Sequence, residues 1–407
     1  MNKKLIAVAV AGVLAAPVVM AENSVTIYGV ADVGLEHVEA KGTPDVNGGA
    51  AKDVLGKSRV TANSSYIGFK GQEELGGGLK AIWQVEQGVD IDDGGGTAAN
   101  GFATRDSFVG LTSTAAGTVV MGRLTTPTRA VASKLDVFPG QAGMGANQAI
   151  LGNTGVNANN TSVNGVATKS GAGSLNFDTR KTNAVAIVSP TIAGLNASVA
   201  YIADEGRTQT IDPWGWGAGL TYAGGPLTAM VAYEEHRNAN GLNGNDLSGG
   251  ATVAGGAARG SLDSDLRVGL GFSASGLTVN AIYENLELRA GDAVGMTGRY
   301  TDLKRDAFWV GAKYALGNHE LRAAYAQALK AKVTKNFEET DLANSDAQQV
   351  SVGYGYNFSK RSQVYAVYST ILNKDNAAFD YGPGKSKVGP AAGADPEGYS
   401  IGVRHLF

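Results

Sequence analysis

The sequence predicts an all-β fold, a 16-stranded antiparallel transmembrane β-barrel. Three observations carry this. After Asn23, apolar residues alternate with small or polar ones at a period of two through most of the chain. The connections between the alternating runs are by turns short and long. Beyond the N-terminus, no stretch approaches ~18 consecutive apolar residues, so helices cannot do the crossing.

The period is plain in several places. Trp214, Trp216, Ala218, Leu220 and Tyr222 are interleaved with Gly215, Gly217, Gly219 and Thr221. Leu266, Val268, Leu270 and Phe272 are interleaved with Arg267, Gly269 and Gly271, and Tyr399, Ile401 and Val403 with Ser400 and Gly402. Successive strand side chains point to opposite faces, so each run has one apolar face and one small or polar face. Such runs occupy 24–38, 59–72, 79–91, 104–113, 118–127, 180–190, 194–203, 214–223, 227–236, 264–274, 277–288, 306–315, 320–329, 347–358, 362–372 and 398–407.

Short connections carry turn residues, as in Gly76-Gly77-Gly78, Gly224-Gly225-Pro226, Ser275-Gly276 and Gly317-Asn318. Long ones are polar: 39–58, 92–103, 128–179, 204–213, 237–263, 289–305, 330–346 and 373–397. In an antiparallel meander, alternate connections lie at opposite ends. One end therefore has tight turns and the other has long loops. A soluble sandwich would bury its apolar face and would not set Trp, Tyr and Phe at strand ends opposite mid-strand glycines. A membrane barrel does this, with aromatic girdles outside and a polar interior. In hydrocarbon every backbone N–H and C=O must be paired, so the sheet must close.

Composition agrees. The chain has 407 residues, 58 Gly and no Cys, and 17% of its residues are charged. Glycine at that level is roughly twice the usual share. The absence of Cys excludes a disulfide scaffold and thiolate metal sites. Residues 1–21 read as a secretory signal peptide: Lys3 and Lys4, the apolar run Leu5–Ala16, and a small residue, Ala21, before the break. Removing Lys3 and Lys4 takes the 34 basic residues to 32 against 37 acids, a net charge of −5. That balance offers nothing to nucleic acid. No Pro/Ser linker or charge block divides residues 22–407, which read as a single barrel domain.

Several segments resemble the general porins of β-proteobacteria, of the neisserial, Burkholderia and Bordetella type. They are Ser24-Val25-Thr26-Ile27-Tyr28-Gly29-Val30-Ala31-Asp32, Ile67-Gly68-Phe69-Lys70-Gly71-Gln72-Glu73-Glu74-Leu75-Gly76, Arg105-Asp106-Ser107-Phe108-Val109-Gly110-Leu111, Val120-Met121-Gly122-Arg123 and the ending Gly402-Val403-Arg404-His405-Leu406-Phe407. The resemblance covers nearly all of the chain after the leader. It implies an outer-membrane homotrimer in a Gram-negative bacterium, in contact with outer-membrane lipid and lipopolysaccharide, passing ions and small hydrophilic solutes by passive diffusion. It also implies that the third long loop, 128–179, folds into the lumen as a constriction. The first part of that loop, with Lys134, Asp136, Phe138 and Pro139, is expected inside the barrel; 152–173, rich in Asn, Gly, Thr and Ser, is expected exposed. Phe407 resembles the signal read by the outer-membrane assembly machinery.

Such a channel does no chemistry, and its selectivity lies in the charges lining the bore. On 79–91 the set Ala81, Trp83 and Val85 reads as outward, which turns Lys80, Gln84 and Glu86 inward. By the same rule Arg105 and Ser107 face inward opposite Phe108, Arg123 faces inward opposite Val120 and Leu124, and Arg180, Arg267, Lys313, Arg322 and Arg404 face inward. The resemblance implies a basic wall at the narrowest point. Arg105, Arg123 and Arg180 match it, with Asp136 as the acidic counterpart and Glu86 nearby. Tyr66 stands where the family usually has a lumen-facing base, and Arg59 lies further out. The alternatives to a general channel are a substrate-specific one and a surface adhesion or structural barrel.

The remaining motifs carry little. Asp90, Asp92 and Asp93 before three glycines form either a cation loop or a hydrophilic tip, and the latter is the expectation. His37, His236, His319 and His405 have no metal spacing. No GxSxG turn occurs, so neither an enzyme nor a cofactor is expected.

Overall fold

The computed structural model describes residues 24–42, 53–92, 101–138, 143–155, 177–203, 205, 207, 209, 212–238, 260–289, 300–335, 338–382 and 386–407. The leader, Asp93, Pro139 and residues 156–173 of the third loop lie outside them.

The described strand segments are β1 (Ser24–Gly42), β2 (Val54–Ala62), β3 (Tyr66–Gly76), β4 (Leu79–Gly88), β5 (Ser107–Ser113), β6 (Gly117–Leu124), β7 (Lys181–Val188), β8 (Leu195–Ala203), β9 (Trp214–Gly224), β10 (Leu227–Arg237), β11 (Leu262–Ala274), β12 (Leu277–Arg289), β13 (Tyr300–Leu316), β14 (His319–Ala328), β15 (Lys332–Lys335), β16 (Glu338–Asp341), β17 (Ala347–Asn357), β18 (Ser362–Asn373) and β19 (Ala394–Leu406). They make 16 passages of the wall, because three passages are interrupted. β1 pairs with both β2 and β3. β13 pairs with both β14 and β15, and these pair in turn with β17 and β16. All pairings are antiparallel. β1 pairs with β19 from Val30↔Leu406 to Gly42↔Ala394. Gly29 and Phe407 then exchange backbone hydrogen bonds of 3.0 and 3.1 Å. The sheet is closed, as a membrane requires. The tight turns share the end that holds both strand termini. At Ser275-Gly276 both φ angles are positive, 50° and 82°, as a two-residue turn matched to strand twist demands.

The two faces of the wall differ as the alternation requires. Leu270, Val310 and Ile401 are 59%, 47% and 64% exposed on the outside. Facing inward between such residues are Arg267, Gly269 and Gly271, or Ser400 and Gly402, mostly buried. Gly269 and Gly271 lie against Leu135 of the described part of the third loop, and Gly402 against Tyr365.

That loop begins with helix α1 (Pro127–Leu135). Proline fits the first helical turn, where its missing N–H costs nothing. The helix ends where the Asp136 N–H donates to the Ala132 carbonyl at 3.1 Å. α1 lies along β9–β12. Its seat is made of absent side chains. A Cβ on Gly269 would fall 2.3 Å from Leu135 and one on Gly219 3.0 Å from Pro127. Beyond the helix the same relation continues: Gly311 lies under Val137, Gly353 under Phe138 and Gly398 near Met144. The mid-strand glycines are the track on which the loop is laid. Val131, Leu135, Phe138, Met144 and Ile150 thereby join one buried apolar cluster with inward wall residues such as Met230 and Trp309. The last long loop joins it through Phe379 and Tyr381, and its Ala378 N–H donates to the Gly155 carbonyl at 2.8 Å.

Three expectations are corrected. Val120 and Leu124 point inward: they are 9% and 5% exposed, whereas Val119 and Met121 are 40% and 53%. Phe108 packs with them and is likewise inward. On this stretch both faces are apolar, so a period of two cannot say which is which. In the third loop, Gly152 and Thr154 are buried rather than exposed, because the Gly152 N–H donates to Glu284 at 2.8 Å. Finally, the loop expected over 330–346 contains the strand segments β15 and β16.

Leu270→Arg sets a charge on the lipid side of the wall, where it costs about 2–4 kcal/mol near the midplane. Reversible urea unfolding in lipid vesicles should show that loss.

Candidate functional site

Opposite the loop, the wall formed by β3–β7 carries a cluster of charges. The Arg105 Nε lies 3.4 Å from a Glu86 oxygen, and its guanidinium sits 4.3 Å from the centre of the Tyr66 ring, a cation–π arrangement. Glu86 also accepts from the Tyr28 hydroxyl at 2.8 Å and the Gln84 amide at 3.3 Å. Arg180 donates to Asp106. Asp106 is held in turn by the Thr125 N–H at 2.7 Å and its hydroxyl at 3.1 Å. Arg123 donates from Nε to the Thr104 carbonyl at 2.9 Å. Parity with Met121 puts Arg123 on the outward side. Its pairing with β7 shifts between Gly122 and Leu124, and Gly122 has φ of 148°. This bulge re-aims the side chain, leaving it within electrostatic reach of Asp106 and Arg180.

The loop faces this wall with bases of its own. α1 buries Thr128, Val131, Ala132 and Leu135 against the glycine track. The opposite side of the helix then presents Arg129, Ser133 and Lys134, of which Ser133 and Lys134 are exposed. Arg129 donates to the Asp178 carbonyl and lies within reach of Arg105 and Arg180.

Behind the loop a buried ionic network fixes both of its ends. Arg267, fully buried on β11, makes a bidentate pair with Asp178 at 2.7 and 2.9 Å. It also meets Glu284 at 2.7 Å and Asp265 at 2.9 Å. Its Nη1 donates to the Thr128 carbonyl at 3.3 Å. Glu284 holds the Gly152 N–H. Thr128 donates its hydroxyl to Glu234, which also accepts from His236 at 2.8 Å. Phe177 stacks on His236 with ring centres 4.5 Å apart. The start, middle and end of the loop thus converge on β10–β12.

Comparison with known proteins decides the family. The model of Gram-negative porins matches residues 7–376. The chain belongs to that family. It is 27% identical to outer membrane porin protein 32 of Delftia acidovorans and 30% identical to major outer membrane protein P.IB of Neisseria lactamica, both over the full length of each chain. Among solved structures it is similar to the anion-selective porin from Comamonas acidovorans, with a TM-score of 0.68 and 23% identity over 95% of this chain and 100% of that one. OmpT of Vibrio cholerae matches with a TM-score of 0.60 and 15% identity, over 95% and 98%. The protein is therefore an outer-membrane porin, a water-filled channel of the Gram-negative outer membrane, and its family is one of channels.

In this porin the residues singled out from sequence divide into two groups. Arg105, Arg123, Arg180, Glu86 and Tyr66 come together. Lys80 and Asp136 do not join them. Lys80 lies near the tight-turn end and pairs with Glu74. The Asp136 carboxylate is turned back into its own loop, where it accepts from the N–H groups of Phe138 and Asn147 at 2.9 and 3.0 Å. It is therefore a turn-forming residue and offers no acidic wall. Arg267 faces inward as expected but is sealed behind the loop. Sequence reasoning missed Arg129, although Pro127 followed by helix formers was the available signal.

Arg267→Met would leave Asp178, Asp265 and Glu284 buried without their shared cation, a loss of about 3–5 kcal/mol. The expected outcome is a lower thermal midpoint and a noisier open-channel current.

Proposed function

We propose that this porin is a general diffusion channel with a weak preference for anions. The segment 128–179 acts as its constriction, and the channel carries no catalytic activity. One observation carries the reading: both sides of the gap are basic. Arg105, Arg123 and Arg180 on the wall face Arg129 and Lys134 on the loop, while Glu86 and Asp106 are the acids among them and Asp136 is withdrawn. Magnitude limits the preference. A unit charge ~10 Å from an ion in water contributes about 0.4 kcal/mol, and physiological salt screens beyond ~8 Å. Several charges together give a few-fold ratio, in keeping with a general pore.

The same reading makes the assembly a homotrimer joined through β1–β7. Tyr201, Tyr222, Phe272, Phe308, Tyr325 and Tyr399, the exposed aromatics that anchor a wall at lipid headgroups, lie on β8–β19. Among described residues of β1–β7 the exposed large side chains are almost all aliphatic, including Val25, Ile27, Leu35, Val109, Leu111 and Met121, with Trp83 the exception. A face that meets another copy needs no headgroup anchors. The β8–β19 face meets outer-membrane lipid and lipopolysaccharide. Cleavage near Ala21 yields the mature chain, and Phe407, at the seam with Gly29, carries the signal for the assembly machinery.

The zero-current potential across a salt gradient tests the selectivity. Wild type should favour anions by a few-fold, and Arg105→Glu or Arg123→Glu should move the potential toward cations. An unchanged potential in both variants would remove them from the constriction. For assembly, Val109→Arg should convert the unheated trimer band to monomer, while Leu270→Arg leaves it in place.

A further inference from the structure

One cation of the inner wall plays no part in the site described above. Lys70 lies on β3, two residues beyond Gly68 and four beyond Tyr66, on the same inward face. The register fixes its depth: Tyr66 pairs with Gly88, Gly68 with Glu86 and Lys70 with Gln84. It therefore stands at the tight-turn edge of the charge cluster. Its side chain is exposed to the bore, and its Nζ rests 4.9 Å from the centre of the Tyr28 ring.

The seat under it is built by the fold. Tyr28 pairs with Gly68 across β1 and β3. A Cβ on Gly68 would collide with the Tyr28 ring, so only glycine lets the ring lie across the neighbouring strand. The Tyr28 hydroxyl donates to Glu86 at 2.8 Å. Its ring meets Tyr66 edge-on, with centres 6.2 Å apart and planes at 77°. The ring is held at its base, its edge and its hydroxyl, and Lys70 sits over it. Arg105 sits over Tyr66 in the same manner.

This seat differs from an ion pair in what it does to the field. A carboxylate beside a cation cancels most of its charge as seen from a distance. An aromatic face attracts the cation through its quadrupole and has no net charge of its own. It fixes the ammonium and leaves its unit charge intact. Elsewhere on the inner wall the cations are balanced: Lys80 by Glu74, Arg322 by Glu320 and Arg404 by Asp32. Within the cluster, Arg105 meets Glu86 and Arg180 meets Asp106. Lys70 forms no ion pair among the described residues. Glu86, the acid held by Tyr28, is already shared by Arg105 and Gln84.

We propose that Lys70, seated on Tyr28, is a specificity-determining residue of this channel. It adds an uncompensated positive charge on the periplasmic side of the constriction and favours the passage of small inorganic and carboxylate anions. Arg105 and Arg180 are each offset by an acid, so the wall's net field owes a large share to this lysine. The inference rests on the anion preference proposed above and adds a residue to it.

The test measures the chloride-to-potassium permeability ratio of the full-length porin in planar bilayers under a potassium chloride gradient. Lys70→Gln should lower the ratio about two-fold, the effect of one unit charge ~10 Å from the ion path after screening. Lys80→Gln/Glu74→Gln, which removes a balanced pair, should keep the wild-type ratio. A second variant separates charge from shape. The chain has no Cys, so Lys70→Cys carries a single thiol. Treating the open channel with the trimethylammonium-ethyl methanethiosulfonate should raise the ratio, and the sulfonatoethyl reagent should lower it. A wild-type channel without anion preference overturns both this inference and the reading beneath it. An anion-selective wild type with an unchanged ratio in Lys70→Gln overturns the role of Lys70 alone. An equal loss in the Lys80→Gln/Glu74→Gln channel, or the same shift with both reagents, overturns the argument from uncompensated charge.

Discussion

The whole molecule depends on pairing of the backbone at its seam. A sheet in hydrocarbon has no water to satisfy an open edge, so β1 and β19 must meet, and they do so from Val30↔Leu406 to Gly42↔Ala394. Once closure is fixed, the two faces of the wall are a lipid side and a lumen side. One face of each strand is apolar toward the lipid, and the other is mixed, with large residues such as Met230 and Trp309 turned inward and buried. The interior then has to be filled or wetted, and the described residues of the third loop pack against part of its inner wall.

The filling works through two complementary devices. On the apolar side, glycines on β9–β12 and onward leave room for Pro127, Leu135 and Phe138. On the ionic side, Arg267 gathers Asp178, Asp265, Glu284 and the Thr128 carbonyl. Such a buried network is weak evidence for stability, because desolvation offsets most of the attraction. It is directional, however. The glycine track would tolerate sliding of the helix, and the bidentate pair does not. We infer that the apolar contacts supply docking and Arg267 supplies position.

The fold was largely legible in the sequence. The period of two and the turn dipeptides located each passage of the wall, since both follow from backbone geometry that tertiary context cannot alter. Orientation was legible only where one face was clearly apolar. On β6, Val119, Val120 and Met121 are consecutive apolar residues, and the inward pair Val120 and Leu124 was read as outward. Its true direction is decided by inward packing against Ala184 and Ile202, a long-range contact. The charge cluster was half legible. Arg180 and Glu86 follow from parity, whereas Arg105 does not: Phe108 is inward and Val109 and Leu111 are exposed. Arg105 joins the cluster from the chain just before β5, and Arg123 joins it through a bulge. Asp136 shows the limit most clearly: its carboxylate could equally face the bore or close a turn, and two backbone N–H groups decided for the turn.

The glycine track has a consequence for how such channels diverge. The helix rests on the wall at van der Waals distance, with nothing between them to compress. A methyl added at Gly219 or Gly269 would meet Pro127 at 3.0 Å or Leu135 at 2.3 Å, so either those side chains turn or the helix shifts toward the bore. Calibre can thus drift between relatives through substitutions hidden from every passing solute, leaving the electrical character of the passage unchanged.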